Sequence, residues 1–339
     1  MGNNRNLIIM LVVVVGLAAL YMLSSQRRPT LDQSGGFVDL VEGTLSSDEI
    51  ESISIRRGDE GFKLANTDAG WVIEDHFQAP GNLNKIRTLL GNLEAVSGEI
   101  RSDDADVLGS YALADSQAYR LQVAGHLDLL IGKRSGSGCF VRKAGSNRVY
   151  VTDHNFLSDF GLWGDDRPVP EVSSWVDLLA FEVLRDDITR IRIEGEETVL
   201  LDRELIIEET AGDEAVEGDA STAPPVAAGS PGNNYEWRIN EDFVGSRSRG
   251  DAILSALVSI RARDVLARDE NPEGSGLDSP DRVTVTIEGG SELTMLFGGA
   301  VAEMSGQVWF RVEGEELVWA VPEFVKNNLF KSADELRAE

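Results

Sequence analysis

The chain has 339 residues, with 31 Lys and Arg against 58 Asp and Glu, a formal charge of −27 and one cysteine. Its 42% of hydrophobic residues can fill real cores, and its length suits two domains plus an appendage. One cysteine excludes an intramolecular disulfide and a CxxC metal or redox site, and so negative a charge argues against nucleic-acid binding, which depends on Lys and Arg neutralising phosphates.

The first feature along the chain is an uncharged apolar run, Leu7 to Leu23. As a helix it spans about 26 Å, just short of the roughly 30 Å hydrocarbon layer, so a single membrane crossing is expected. The run is longer than the core of a cleavable signal and no small-x-small site follows it, which predicts an uncleaved anchor within residues 1–28. No cysteine lies beside the run to carry a lipid. Arg5 with the α-amino group on one side and Arg27 with Arg28 on the other leave the positive-inside rule tied. The short tail before the run decides the expectation: N-terminus in the cytosol, bulk of the chain extracytoplasmic. All 58 acidic residues lie beyond Arg28, so the body should stand off anionic lipid heads.

The remainder is written twice. Phe37-Val38-Asp39-Leu40 returns as Trp175-Val176-Asp177-Leu178, and Ile50–Ile55 as Ile188–Ile193, both at a shift of about 138. Further on the shift is about 166: Trp71 with Trp237, Leu89–Leu93 with Ile253–Leu257, Leu113-Ala114-Asp115 with Leu277-Asp278-Ser279. Leu130-Ile131-Gly132 then matches Leu296-Phe297-Gly298, Phe140–Arg142 the stretch Phe310–Val312, and Val149-Tyr150-Val151 the stretch Val318-Trp319-Ala320. Residues 211–234, rich in Ala, Gly, Pro and acid with no apolar period, account for the jump as a disordered surface insertion in the second copy.

Each copy predicts one β-rich α+β unit. The first, 37–162, opens with a short amphipathic segment at 37–46, then strands near 50–57, 61–66 and 70–74. A helix follows from 82 to 95, with Leu83, Ile86, Leu89, Leu90 and Leu93 on one face and Pro80-Gly81 as its start signal. Four strands near 118–124, 127–132, 138–144 and 147–152, with glycines read as their turns, and a closing turn with Phe156, Leu157 and Phe160 complete it. A linker at 163–174 leads to the second unit, 175–335, with its helix near 250–262 and closing segment around Phe324, Val325, Leu329 and Phe330.

The hairpin Arg148–Val151 with the Asp153/Phe156 turn, the stretch Leu184–Ile191 and Gly276-Leu277-Asp278-Ser279-Pro280 resemble the bacterial family of domain of unknown function 4340. The first unit departs from the last motif, having Tyr111-Ala112-Leu113-Ala114-Asp115 without proline. The resemblance covers nearly all of residues 37–335. It implies an N-terminally anchored envelope protein of the bacterial inner membrane with its bulk in the periplasm, often encoded beside ABC-transporter auxiliary components of the gliding-motility type, with no established reaction.

No catalytic, cofactor-binding or metal-binding residue is assigned. His76, His126 and His154 lack partners at metal-ligand spacing, and each reads as a surface or capping histidine. Cys139 has no neighbouring base and reads as a partly buried, inert thiol. Gly109-Ser110, Gly132-Lys133-Arg134-Ser135-Gly136 and Gly298-Gly299 lack phosphate-loop spacing, and their glycines read as hairpin turns. Asp103-Asp104, Asp165-Asp166, Asp186-Asp187 and Glu315-Glu316 lack calcium-loop spacing and read as solvated faces. Trp71, Trp175, Trp237, Trp309 and Trp319 read as core. The expected function is a non-enzymatic scaffold or accessory subunit of an envelope complex, with ABC-transporter subunits as partners and no cofactor. The alternative is a binding module for a cell-wall fragment or small solute held between the lobes, which would expose its aromatics.

Overall fold

The computed structural model describes residues 38–41, 43–163, 169–206, 235–269 and 271–338. The expected anchor at 7–23 and the insertion at 211–234 lie outside them. Among the described residues, no helix is long and apolar enough to cross a membrane.

The first half contains β1 (Val38–Asp39), β2 (Ser52–Arg57), β3 (Glu60–Thr67), β4 (Gly70–Ile73) and β5 (Ala79–Pro80), then helix α1 (Leu83–Ala95). After the helix come β6 (Ser97–Ser102), β7 (Tyr119–Val123), β8 (Leu127–Ser135), β9 (Gly138–Lys143), β10 (Val149–Thr152) and the short helix α2 (Phe156–Asp159). The strands form one antiparallel sheet in the order β1-β6-β10-β9-β8-β7-β2-β3-β4-β5. The second half contains β11 (Leu179–Glu182), β12 (Ile188–Glu194), β13 (Thr198–Leu205), β14 (Tyr235–Ile239), β15 (Phe243–Val244) and helix α3 (Arg247–Val258). It continues with β16 (Ser259–Arg261), β17 (Asp264–Arg268), β18 (Asp281–Ile287), β19 (Glu292–Ala300), β20 (Gln307–Val312), β21 (Leu317–Pro322) and helix α4 (Glu323–Leu329). Its main sheet runs β17-β21-β20-β19-β18-β12-β13-β14-β15, with β11 and β16 paired beside it. With antiparallel sheets and few helices, the architecture is α+β.

Alternation along the strands explains the layering. Ile53 and Ile55 on β2, and Ile191 and Ile193 on β12, are buried while their neighbours are not. Each long helix covers that inner face. In α1 the buried side chains are Ile86, Leu89, Leu90 and Leu93; in α3 they are Ile253, Leu254 and Leu257, with Gly250 beside them. Each such side chain contributes about 1.5–3 kcal/mol when fully removed from water. Gly250 sits against the Trp237 ring, where an added Cβ would lie 2.3 Å from ring carbon Cδ1. The core is continuous from Leu40 through Trp175 to Leu336, so both halves share it.

Several boundaries differ from the sequence reading. Asn82 caps α1, its Oδ1 accepting from Lys85 N at 3.0 Å, while Pro80 ends β5 and Gly81 bridges to Val176. Leu83 points outward. Helix α3 stops at Val258, and Ile260 is buried from strand β16 instead. Strand β6 was not foreseen because Ser97–Ser102 has no apolar alternation; it is held by pairing with β10 and β1. Gly132 and Gly298 are not turns. Each lies within a strand under a loop carbonyl, where a Cβ would come within 2.2 Å of Tyr111 O or Ser275 O. Both strands bulge just beyond that glycine. Trp175, read as the start of the second unit, is fully buried against Phe62 of the first, with ring centroids 5.8 Å apart.

Candidate functional site

The residues singled out in the sequence are dispersed. His76, in the β4–β5 connection, places Nε2 2.8 Å from Asp264 Oδ1 on β17, a pair that joins the two halves. His154 Nε2 lies 2.7 Å from Asp159 Oδ2, which also accepts from Asn92 Nδ2 at 3.1 Å. His126 is exposed in the β7–β8 turn. Cys139 is fully rather than partly buried, its Sγ 3.5 Å from Thr152 Oγ1 and 3.6 Å from the carbonyl oxygen of His154. The imidazole of His154 is committed to Asp159, so thiol and ring do not form a nucleophile–base pair.

The acidic pairs serve local ends. Asp104 accepts from Asp106 N at 2.9 Å at the start of a 3₁₀ turn, Asp186 lies 3.6 Å from the Arg203 guanidinium, and Glu316 pairs with Arg268 at 2.7 Å. Asp165-Asp166 lies outside the described residues. Among the described residues, no group of three His, Cys, Asp or Glu is placed to hold a metal. Trp71, Trp175, Trp237 and Trp319 are buried as expected. Trp309 is only half-buried, in a small apolar cluster on the outer face with Leu277, Leu296 and Val318.

The densest polar arrangement belongs to the second half and was missed in the sequence, because its members come from four elements. Asp251 on α3 accepts at Oδ1 from Tyr235 Oη at 2.6 Å and from Trp237 Nε1 at 3.0 Å. Arg185 and Arg247 each reach within 3.9 Å of the same carboxylate. Burial raises the Asp251 pKa, but those two hydrogen bonds and the two guanidinium charges outweigh it, leaving the carboxyl below its ordinary value. Arg203 donates to the carbonyls of Arg185 (3.2 Å) and Ile188 (3.4 Å) while its guanidinium lies 4.1 Å from the centre of the Tyr235 ring. Arg247 lies 4.9 Å from the same centre.

In the first half the matching Trp71 donates instead to Ser47 O at 3.1 Å, and Asn66 Nδ2 reaches Ser47 O and Ile50 O at 3.1 and 3.3 Å. Trp71 thus meets a neutral backbone acceptor where Trp237 meets a charged carboxylate. Lys85 in the first half covers Trp175 with Nζ 4.4 Å from its ring centre. Burial lowers the Lys85 pKa, partly offset by Asp159.

Three concavities adjoin along α4 and the segment after it. One, of about 770 Å³, includes Glu196, Glu197, Asp281, Lys326 and Lys331. Another of about 460 Å³ lies between Arg249, Ile253 and Leu336, and a third of about 520 Å³ between Ala256, Arg261 and Phe324. Phe324 is 63% exposed at that end. A fourth, of about 520 Å³, is formed by the loop Asn271–Asp278, and a fifth of about 350 Å³ lies on the first half around Arg56, Arg120 and Gln122. Each of these five is lined by one half alone, whereas the junction is occupied by packed and paired groups.

Among protein families, the model described as Domain of unknown function (DUF4340) matches residues 71–280, more than half of the chain and across the junction between the halves. No curated protein and no solved structure matches.

Proposed function

The chain belongs to the DUF4340 family, and on that premise we propose that it is a non-enzymatic scaffold or accessory subunit of an envelope complex. The single observation that carries the reading is the shared core: Trp175 and the Gly81–Val176 bridge lock the start of the second half into the first. A body welded in this way presents faces at a fixed spacing, which suits assembly. The reading includes tandem descent from one ancestral unit, supported by the common strand order β6-β10-β9-β8-β7-β2-β3-β4-β5 and β17-β21-β20-β19-β18-β12-β13-β14-β15. It also includes attachment through the apolar run Leu7–Leu23 with the N-terminus in the cytosol, supported by the length and lack of charge of that run. The partner is a membrane complex, an ABC transporter of the gliding-motility-auxiliary type, a reading supported by the family resemblance. Confinement to the membrane surface would raise the effective concentration for that partner without a tight interface.

The test is purification of the full tagged chain in mild detergent after carbonate extraction of membranes. The expected result is retention in the extracted membranes and co-purification of transporter subunits. Release by carbonate, or repeated recovery of the protein alone, overturns the reading. The alternative of a ligand between the lobes is disfavoured by the packed junction, where His76 meets Asp264 and Phe62 meets Trp175.

A further inference from the structure

Arg142 and Arg311 hold the same position in the two sheets. Arg142 on β9 lies opposite Leu130 of β8, and Arg311 on β20 lies opposite Leu296 of β19. Both side chains are more than nine-tenths buried, at 5% and 9% exposure. Both sit with a matching small apolar cluster, Leu113-Leu130-Val149 in one half and Leu277-Leu296-Val318 in the other.

Their partners differ. Arg142 donates from Nε to Leu113 O at 2.9 Å, from Nη1 to Ser146 O at 3.1 Å and from Nη2 to the Asp115 carboxylate at 2.5 Å. Arg311 forms no ion pair among the described residues, and its buried Nε has no hydrogen-bond partner there. The sequence gives a reason: Ser279 stands in the place of Asp115, and the neighbouring Asp278 is exposed. A buried Nε–H without an acceptor is costly, while the two Nη groups of Arg311 are not among the fully buried atoms and can meet an acceptor from outside.

The surroundings extend the pattern. Val308 and Phe310 point into the main core, so Gln307, Trp309 and Arg311 share the outer face of β20. Gln307 Oε1 is also buried without a partner. That face therefore presents, in line, a half-buried amide, an indole and a cation with no carboxylate partner among the described residues. The loop carrying Ser275 borders it at Gly298, where a Cβ would stand 2.2 Å from Ser275 O and 3.0 Å from Trp309 Cβ.

We propose that this face is a binding site for a peptide carboxylate. Arg311 takes the carboxylate through its Nη groups, as Arg142 takes Asp115 through Nη2, and the peptide chain passes over Trp309 toward Gln307. The carboxylate could be a side chain or a chain terminus, and the chemistry recognised is the same. The site does not depend on membrane attachment or on the identity of a transporter partner.

The experiment uses the full chain in mild detergent with two probes. Acetyl-glutamyl amide carries only a side-chain carboxylate, and acetyl-glycyl-glycine only a terminal one. Binding is read as a rise in the thermal unfolding midpoint and by calorimetric titration. At least one probe should bind, and Arg311→Gln should weaken it roughly ten-fold or more, the loss of one charged hydrogen bond. Ser279→Asp should fill the site from within, raising the midpoint of the unliganded protein and abolishing probe binding. Arg311→Gln alone should leave the unliganded midpoint unchanged or higher, whereas Arg142→Gln should lower it. The probe that binds identifies the source of the carboxylate. Binding by neither probe, equal binding to wild type and Arg311→Gln, or a midpoint lowered as far by Arg311→Gln as by Arg142→Gln overturns the proposal.

Discussion

Trp175 packs its ring 5.8 Å from that of Phe62, so a residue that leads into the second half completes the core of the first. The neighbouring backbone repeats the bond: Asn82 N donates to Trp175 O, and Asp177 N to Pro80 O, both at 2.7 Å. Trp175→Ala should destabilise the whole protein by about 3–5 kcal/mol, the range for a large buried aromatic cut back to methyl. Trp175→Phe should cost much less, because it also removes an indole N–H that is buried without a partner. Urea unfolding of the two variants tests this; equal and small losses would show that the ring is not part of the core.

Asp251 provides the pH dependence. Its folded-state pKa lies below the ordinary carboxylate value, so it contributes stability that is fully present above the ordinary carboxylate range and is lost as pH falls through its depressed value. Asp251→Asn keeps the shape but weakens acceptance from Tyr235 Oη and Trp237 Nε1 and removes the charge facing Arg185 and Arg247. The variant should be less stable near neutrality by about 1 kcal/mol, since the side chain is partly solvated. The gap should narrow under strong acid. Chemical unfolding at a series of pH values checks both statements, and a gap that widens on acidification refutes the assignment.

The two strand glycines make a steric prediction. Gly132→Ala and Gly298→Ala would drive a methyl against Tyr111 O and Ser275 O, and each should cost about 1–3 kcal/mol. Gly91 is the control: it lies in α1 with nothing within 4 Å of a built Cβ. Gly91→Ala should stabilise by about 0.4–1 kcal/mol through helix propensity and unfolded-chain entropy. The sign difference is readable in thermal melts.

His76 and Asp264 form a polar link across the halves at 2.8 Å. Removing either should cost about 1 kcal/mol, and the double variant His76→Ala/Asp264→Asn should cost less than the two single losses together. A double-mutant cycle by urea unfolding measures the coupling. A coupling of zero would mean that the contact adds nothing to the joint.

The fold was legible wherever burial and sequence period coincide. The alternating isoleucines of β2 and β12 and the leucine face of α1 announce themselves, because one apolar face is enough to define each element. β6 was not legible, since Ser97–Ser102 forms a strand through its neighbours' backbone groups rather than its own side chains. Gly132 was misread as a turn because the carbonyl above it belongs to a distant loop. The same limit hid the candidate sites. Asp251, Tyr235 and Arg185 are unremarkable singly and acquire a role only when α3 is laid across β14 and the turn before β12. Arg142 and Arg311 lie in matched stretches, but only the folded chain reveals that one meets a carboxylate and the other does not.

The bridge from Gly81 to Val176 has a counterpart between Gly245 and Arg337, so each sheet is fastened by a segment that follows its last long strand. The backbone groups of Pro80 and Asn82 at the start of the first helix therefore find their partners only in a chain that extends through Asp177. Any fragment intended to fold alone should run through this clasp, since a cut at the apparent linker near residue 163 would leave the groove of Phe62 open to water and to other chains.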